Sequence, residues 1–322
     1  MKGTADQMLL TRRSRITWLA IFILFVLSAP SVAHLNSENS LAVPHDLRPN
    51  QDPRLLEIGQ ASKLQSPANS PAQIKVISYN IRWRGGDDLR QLIELLKHGR
   101  EIGGAAIIGL QEVDRNKERT EHKNTVKLIA ETLGFYYAWT APPATKAGQE
   151  EETGVAILSS YPLADIHRII LPHGGPGGRR RVALGATVAL GGARIRVYSV
   201  HSENRISVAR KMDQTKAVLT NLAGYSKDMP AIILGDLNTW EPDAVDKTSK
   251  LFTSENFSTP FDDDQATFLR TILIIPIKLK LDWIWLRGLE ATSHGIDKQI
   301  DLSDHWPLWV VIKIRKGHSR EI

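Results

Sequence analysis

Cysteine is missing from all 322 residues, which removes disulfide staples, thiolate metal sites and cysteine nucleophiles together. Long apolar runs are scarce. The run Ile16–Ala29 has 14 residues, short of the roughly 20 that a membrane-spanning helix needs. No internal repeat appears, which argues against a solenoid. The glycines of "PHGGPGGRRR" (172–181) lack both the phosphate-loop and the dinucleotide spacing, so they read as a flexible connection. A strong charge excess is also lacking. The formal charge is +6, but Lys2, Arg12, Arg13 and Arg15 against Asp6 put half of it in the first 33 residues. The remainder is only mildly basic and is no strong nucleic-acid footprint.

What is present starts with an export signal. "TRRSR" (11–15) is a basic leader, the apolar run follows, and "SVA" (31–33) offers small residues for cleavage. Residues 1–33 are therefore expected to be a signal peptide, or else an uncleaved anchor through 16–29. The chain would then be periplasmic or extracellular, tethered to a membrane if the anchor stays. Residues 34–72 hold Pro44, Pro49, Pro53, Pro67 and Pro71 with no sustained apolar period, and read as a linker. Order begins at Gln73. "QIKVISY" alternates as a strand, and "DDLRQLIELLKHG" has helical spacing with Asp87 or Asp88 as its cap. "AAIIGL", "GVAILSS", "VALGATVAL", "ARIRVYSV", "PAIILG", "LDWIWLR" and "WPLWVVIKI" are further strands. Helices are expected over 119–133 and 205–223. One α/β domain over 73–316, with a tail at 317–322, accommodates all of it.

The chemistry collects at strand ends. The first strand ends in Asn80, "AAIIGL" in Gln111-Glu112, "RVYSV" in His201, and "AIILG" in Asp236 with Asn238 beyond. Asp282 opens one late strand, and Asp304-His305 precedes the last. Carboxylate and carboxamide oxygens are hard ligands that suit Mg²⁺ or Mn²⁺. Such an ion with two imidazoles suits phosphoester hydrolysis. In an extended segment, Asp236 and Asn238 point to the same side.

The ordered set "SYNIRW", "LQEVD", "GVAILSSYPL", "VYSVHS", "ILGDLN", "LDWIWL" and "LSDHWPL" resembles the endonuclease/exonuclease/phosphatase superfamily, over about 73–316. The resemblance implies a four-layer αββα sandwich with two mixed β-sheets, and a metal-dependent hydrolase. It implies Glu112 as principal Mg²⁺ ligand, with Asn80 and Asp304 at the metal and Mn²⁺ a substitute. Asp236 and Asn238 would orient the attacking water and the phosphate, while His305, held by Asp282, and His201 would face the phosphoryl group. Glu152 matches the carboxylate expected beside His201, with Glu150 and Glu151 as neighbours. Arg181 matches a frequent arginine within a run of three. Abasic-site endonucleases carry an aspartate where this chain has Arg82, which argues against a repair role.

The expected activity is that of an exported phosphodiesterase acting on a lipid head group or a nucleic acid. The alternatives are a secreted nuclease and a non-catalytic phosphate- or membrane-binding protein. No obligate protein partner is expected. "TFLRTILIIPIKLKLDWIWL" (267–286) reads as buried strands broken at Pro276, the alternative being an exposed apolar edge that touches membrane.

Overall fold

Residues 52–64, 71–145 and 151–314 are described by the computed structural model. The export segment, residues 34–51 and 65–70 of the expected linker, Glu150 and the tail 317–322 lie outside the described residues. In chain order the first half contains β1 (Leu56–Gln60), β2 (Gln73–Asn80), α1 (Gly86–His98), β3 (Ile107–Arg115), α2 (Thr125–Leu133), β4 (Tyr136–Thr140), β5 (Glu152–Ser159), β6 (Leu163–Ile170) and β7 (Val182–Leu190). The second half contains β8 (Ala193–His201), α3 (Val208–Leu222), β9 (Ala231–Asp236), α4 (Ala244–Ser254), β10 (Phe268–Ile272), β11 (Ile275–Leu279), β12 (Asp282–Arg287), β13 (Glu290–Ile296) and β14 (Leu308–Lys313).

These strands form a seven-stranded sheet in the order β1-β4-β5-β3-β2-β14-β13, a five-stranded sheet in the order β12-β9-β8-β7-β6, and the separate hairpin β10-β11. Both large sheets are mixed. β2 pairs parallel with β3 through α1, and β8 pairs parallel with β9 through α3. The other pairings are antiparallel.

Strand alternation sorts the apolar side chains into three layers. Val76, Ile107, Ile157, Val197, Ile232 and Ile284 meet between the two sheets. Ile77, Ile108 and Leu158 face the other way, onto Leu92 and Leu96 of α1 and Ile129 of α2. Tyr198, Ile233 and Trp285 pack onto Val218 and Leu222 of α3 and Phe252 of α4. The result is the expected αββα sandwich. Helix α1 starts two or three residues earlier than the sequence suggests. Gly85 occupies the cap position, and Asp87 and Asp88 fall in the first turn, where carboxylates complement the helix dipole. Helix α2 is shorter than expected, capped by the Asn124 side chain on Lys127 N and closed by left-handed Gly134.

Two readings of the sequence need correction. Residues 56–60, assigned to the linker, form an edge strand along β4, and Leu55 beside it is buried. Gly59 interrupts any apolar period there, so the signal was too short to register. The 268–279 segment is not buried. β10 and β11 form a hairpin apart from both large sheets, and Leu273, Ile274 and Ile275 at its tip are 87%, 91% and 55% exposed. Pro276 sits in β11 opposite Thr271, a position open only to a strand with a free edge.

Candidate active site

Topology gathers the polar strand ends at one rim. Asn80 closes β2 level with Gln111 of β3, and His201 closes β8 level with Asp236 of β9. Asp236 in turn faces Asp282, the first residue of antiparallel β12. Both parallel pairs thus point their carboxyl ends at the same place, where open α/β sheets usually bind ligands. The last loop joins them: Ser303 Oγ donates to Asn80 O at 2.8 Å and accepts from His305 N at 3.2 Å.

Asp236 is the centre. Asn80 Nδ2 donates to its Oδ2 at 3.0 Å, and Asn238 N donates to its Oδ1 at 3.0 Å. The same Oδ2 lies 3.6 Å from His201 Nε2 and 3.8 Å from His305 Nε2. Glu112 Oε1 is 3.8 Å from His201 Nε2. Burial, with the carboxylates of Asp282 and Glu112, pushes Asp236 up to about 7, against the lowering pull of His305.

The backbone is forced around this centre. Glu112 has φ 56° and Asn238 φ 54°, a left-handed region that non-glycine residues enter uncommonly and that is costlier for Glu than for Asn. Glu112 is the extra residue of a bulge, since the β3–β5 register shifts between Gln111 and Val113. The sequence placed Glu112 beyond its strand. Instead the strand continues through it, and the bulge re-aims the carboxylate. Gly235, at φ 135°, is the other requirement: a Cβ there would stand 2.0 Å from Val200 O. Only glycine lets β8 and β9 close up immediately before Asp236.

The two imidazoles are held by opposite charges. His305 Nδ1 lies 2.8 Å from Asp282 Oδ2, which also accepts from Thr267 Oγ1 at 2.8 Å, and the Phe268 ring meets the imidazole edge-on. Burial works against its charge, but Asp282 and Asp236 prevail and raise His305 to about 10. His201 Nδ1 instead faces Arg181 Nη1 at 3.3 Å. A guanidinium can only donate, so Nδ1 accepts and the ring proton sits on Nε2. Burial first, then Arg181, holds His201 well below the usual histidine range.

Two expected contacts are replaced. Glu152 does not pair with His201; both its oxygens accept from Arg115 at 3.2 Å. The residue that steadies the His201 side is Glu203, fully buried between Arg179, which donates to it at 2.7 and 3.1 Å, and Arg181, an ion pair at 3.4 Å. Burial would raise this carboxyl, yet the two arginines hold it below the ordinary range. Glu203 escaped the sequence reading. Its only signal was a carboxylate following "HS" in a chain with three consecutive arginines. Asp304 faces Arg82 Nη1 at 2.9 Å, so the arginine that argued against a repair role is the partner of this aspartate. Thr267, which bonds Asp282, carried no sequence signal at all.

The donor set fits a hard divalent cation. Asp236, Asp282 and His305 offer ligand atoms within 4.8 Å of one another, and Asp282 is satisfied only at Oδ2, by Thr267 and His305. Asp282 Oδ1 and Glu112 Oε2 are both buried carboxylate oxygens without a hydrogen-bond partner among the described residues. Such an atom is expensive to leave bare and suits an oxygen-seeking ion. Glu112 would hold that ion, while Asn80 and Asp304 are tied to Asp236 and Arg82.

Beside Glu112 lies a cleft of about 280 Å³ whose walls include Trp83, Lys117, Arg119, Arg179, Arg180 and Arg181.

Comparison with known proteins supports this picture. Residues 77–305 match the profile described as the Endonuclease/Exonuclease/phosphatase family. A search of the curated proteins finds no match. Among solved structures, an endonuclease/exonuclease/phosphatase family protein from Leptotrichia buccalis is 19% identical, with a TM-score of 0.58 covering 75% of this chain and 100% of that one. The human Nocturnin catalytic domain with bound sulfate is 19% identical, TM-score 0.58, covering 84% and 100%. D. rerio TDP2 complexed with single-strand DNA product is 15% identical, TM-score 0.58, covering 76% and 100%. At such identities the structural likeness speaks for the fold.

Proposed function

The chain belongs to the endonuclease/exonuclease/phosphatase family of metal-dependent phosphoesterases, and from that premise we propose that it is an exported phosphodiesterase. The observation that carries the reading is Asp236, whose Oδ2 lies 3.0 Å from an amide nitrogen and within 4 Å of the Nε2 atoms of two imidazoles. Asp236, near neutrality in its titration, takes the proton of the attacking water, and Asn80 holds its carboxylate in place. His305 stays cationic and faces charge gathering on the phosphoryl oxygens. His201 presents an Nε2–H, a donor to the phosphoryl or leaving oxygen, while Arg181 supplies the nearby positive charge. A divalent ion at Glu112, Mg²⁺ by the all-oxygen character of that ligand, would add Lewis-acid polarisation of the phosphate.

Export rests on the basic run 11–15 and the apolar run 16–29, which lie outside the described residues. A second substrate reading, an anionic nucleic-acid strand, is favoured by the cationic cleft with the exposed Trp83 beside Glu112. The test is turnover of bis(p-nitrophenyl) phosphate and p-nitrophenyl phosphate with Mg²⁺ or Mn²⁺ by the wild type and Asp236→Asn. Diester cleavage abolished in the variant is expected. Full activity of Asp236→Asn, or preference for the monoester, would overturn the reading. Tight phosphodiester binding without any turnover would point to a binding protein instead.

A further inference from the structure

Among the described residues, the β10–β11 hairpin is tied to the site at its base and exposed at its tip. At the base, Leu269 N donates to Asp304 O at 2.8 Å, Trp306 N to Thr267 O at 2.8 Å, and the Phe268 ring lies against His305. The loop carrying Asp304 and His305 is thereby stitched to the hairpin. At the tip, Leu273 and Ile274 stand almost wholly in solvent and Ile275 is more than half exposed. Three consecutive exposed aliphatic residues are unlike the scattered apolar surface of an ordinary soluble protein.

The pairing register orders the side chains between base and tip. Ile272 pairs with Ile275, Arg270 with Ile277, and Leu269 with Lys278. Opposed residues share a face, and faces alternate along a strand. The face that starts with Phe268 on His305 therefore continues through Ile277 and Arg270 to Ile272 and Ile275. An apolar row interrupted by one cation leads from the catalytic histidine to the tip. That cation is Arg270, and Lys278 lies on the opposite face with Leu269; both are exposed. Lys278 stands three residues from Ile275, roughly 10 Å along an extended strand. That spacing matches the depth of about 5–10 Å to which interfacial segments sink their apolar side chains. With the tip submerged, Arg270 and Lys278 would stand level with lipid phosphates. Asp262, Asp263 and Asp264 are exposed near the base, so the attraction comes from the tip and its two flanking cations, not from a broadly basic surface.

We propose that the β10–β11 hairpin inserts its Leu273–Ile275 tip into a lipid bilayer and that the phosphodiester presented to the site is a lipid head group. The proposal rests on the phosphodiesterase reading for its substrate, but not for the membrane contact.

The chain's lack of cysteine makes a site-specific test available. Ile274→Cys and, at the far end of the sandwich, Lys227→Cys are made in the full chain and labelled with an environment-sensitive nitrobenzoxadiazole. Each is mixed with vesicles of phosphatidylcholine containing a fifth of phosphatidylglycerol. A several-fold emission rise at position 274, quenched by nitroxide-bearing lipid, with none at 227, is the expected result. In parallel, Leu273→Ser/Ile274→Ser/Ile275→Ser is compared with wild type in the full chain, so that any pull from residues 16–29 is common to both. Soluble diester turnover should stay within twofold and turnover of vesicle phospholipid should fall at least tenfold. A label at 274 that ignores vesicles overturns the contact. So does an emission change that needs no lipid but grows with protein concentration, which would assign the tip to a second copy. Equal losses on both substrates, or faster cleavage of nucleic acid than of vesicle lipid, overturn the substrate assignment. If the wild type hydrolyses neither diester, the phosphodiesterase reading fails, while the label still decides the membrane contact.

Discussion

His305 and His201 approach the same carboxylate oxygen from different sheets, yet one is a cation and the other is not. His305 leans on Asp282 and is raised to about 10. His201 leans on Arg181 and is held low. Both are buried, and burial alone would discharge both. The partner on the far ring nitrogen decides the outcome. The His305 arm is built from directly bonded groups, Thr267 to Asp282 to His305. The His201 arm is a stack of charges, Arg179 to Glu203 to Arg181, that ends on the imidazole. The first arm should fail abruptly when broken, and the second by degrees.

Breaking the His305 arm is expected to have the largest effect. Asp282→Asn and His305→Ala should each lower kcat for a diester about a thousandfold, or about 4 kcal/mol in barrier. Because the pair acts as one unit, the double variant should be little worse than the poorer single one. Additive losses in steady-state kinetics would show that the two residues act separately.

The second expectation separates the arms by proton rather than by rate. Arg181→Gln should cost about 100-fold in kcat/KM, the low end for a lost electrostatic donor and less than the loss at His305. It should also let the His201 imidazole titrate closer to 6.5, followed by NMR of the ring protons. An Arg181→Lys variant should recover part of the rate by restoring the charge without the fork geometry. A His201 titration unmoved by Arg181→Gln would remove the arginine from its control.

The opposite shifts also give opposite pH signatures of stability. His305 is raised, so its stabilisation is complete below about 6.5 and is lost as pH climbs through about 10, at most about 5 kcal/mol in all. His201 is depressed, so it contributes above about 6.5 and loses that contribution as pH falls. The denaturant midpoint gap between wild type and Asp282→Asn, measured without added metal, should therefore narrow in alkali. The gap between wild type and His201→Asn should narrow in acid. Two gaps moving in the same direction would contradict the assignment.

Much of this arrangement could be read from residue order alone. Asn80, Glu112, His201, Asp236, Asp282 and His305 each adjoin an apolar strand, and two parallel βαβ units bring those ends together. What escaped depends on geometry with no local signature. The bulge that aims Glu112 is a register event between two strands far apart in sequence. Glu152 lies in the cleft with Glu112, yet Arg115 captures it, a pairing invisible along the chain. The aliphatic run 272–277 reads as core because burial and exposure share one composition, and only the missing neighbours make it a tip. The short β1 was lost in a proline-rich stretch, since an edge strand needs few apolar residues when its partner supplies the packing.

The smallest expected effect sharpens the contrast within three adjacent arginines. Arg179 and Arg181 embrace Glu203, whereas the Arg180 guanidinium donates to Leu171 O at 2.7 and 3.0 Å, away from both histidines. Arg180→Ala should therefore change turnover of a soluble diester by no more than about threefold, the scale of an ordinary substitution away from a site. Arg180 does line the cationic cleft, so a nucleic-acid substrate would register its loss differently. The slope of log K against log salt should then become shallower by about 0.7–0.9, one phosphate contact fewer. A lipid diester delivered by the hairpin would show no such change. Binding titrations over a salt series, wild type against Arg180→Ala, measure that slope. A loss of activity equal to that of Arg181→Gln would mean that the charge of the run matters and not the position of each arginine, and the two-arm account of the histidines would have to be given up.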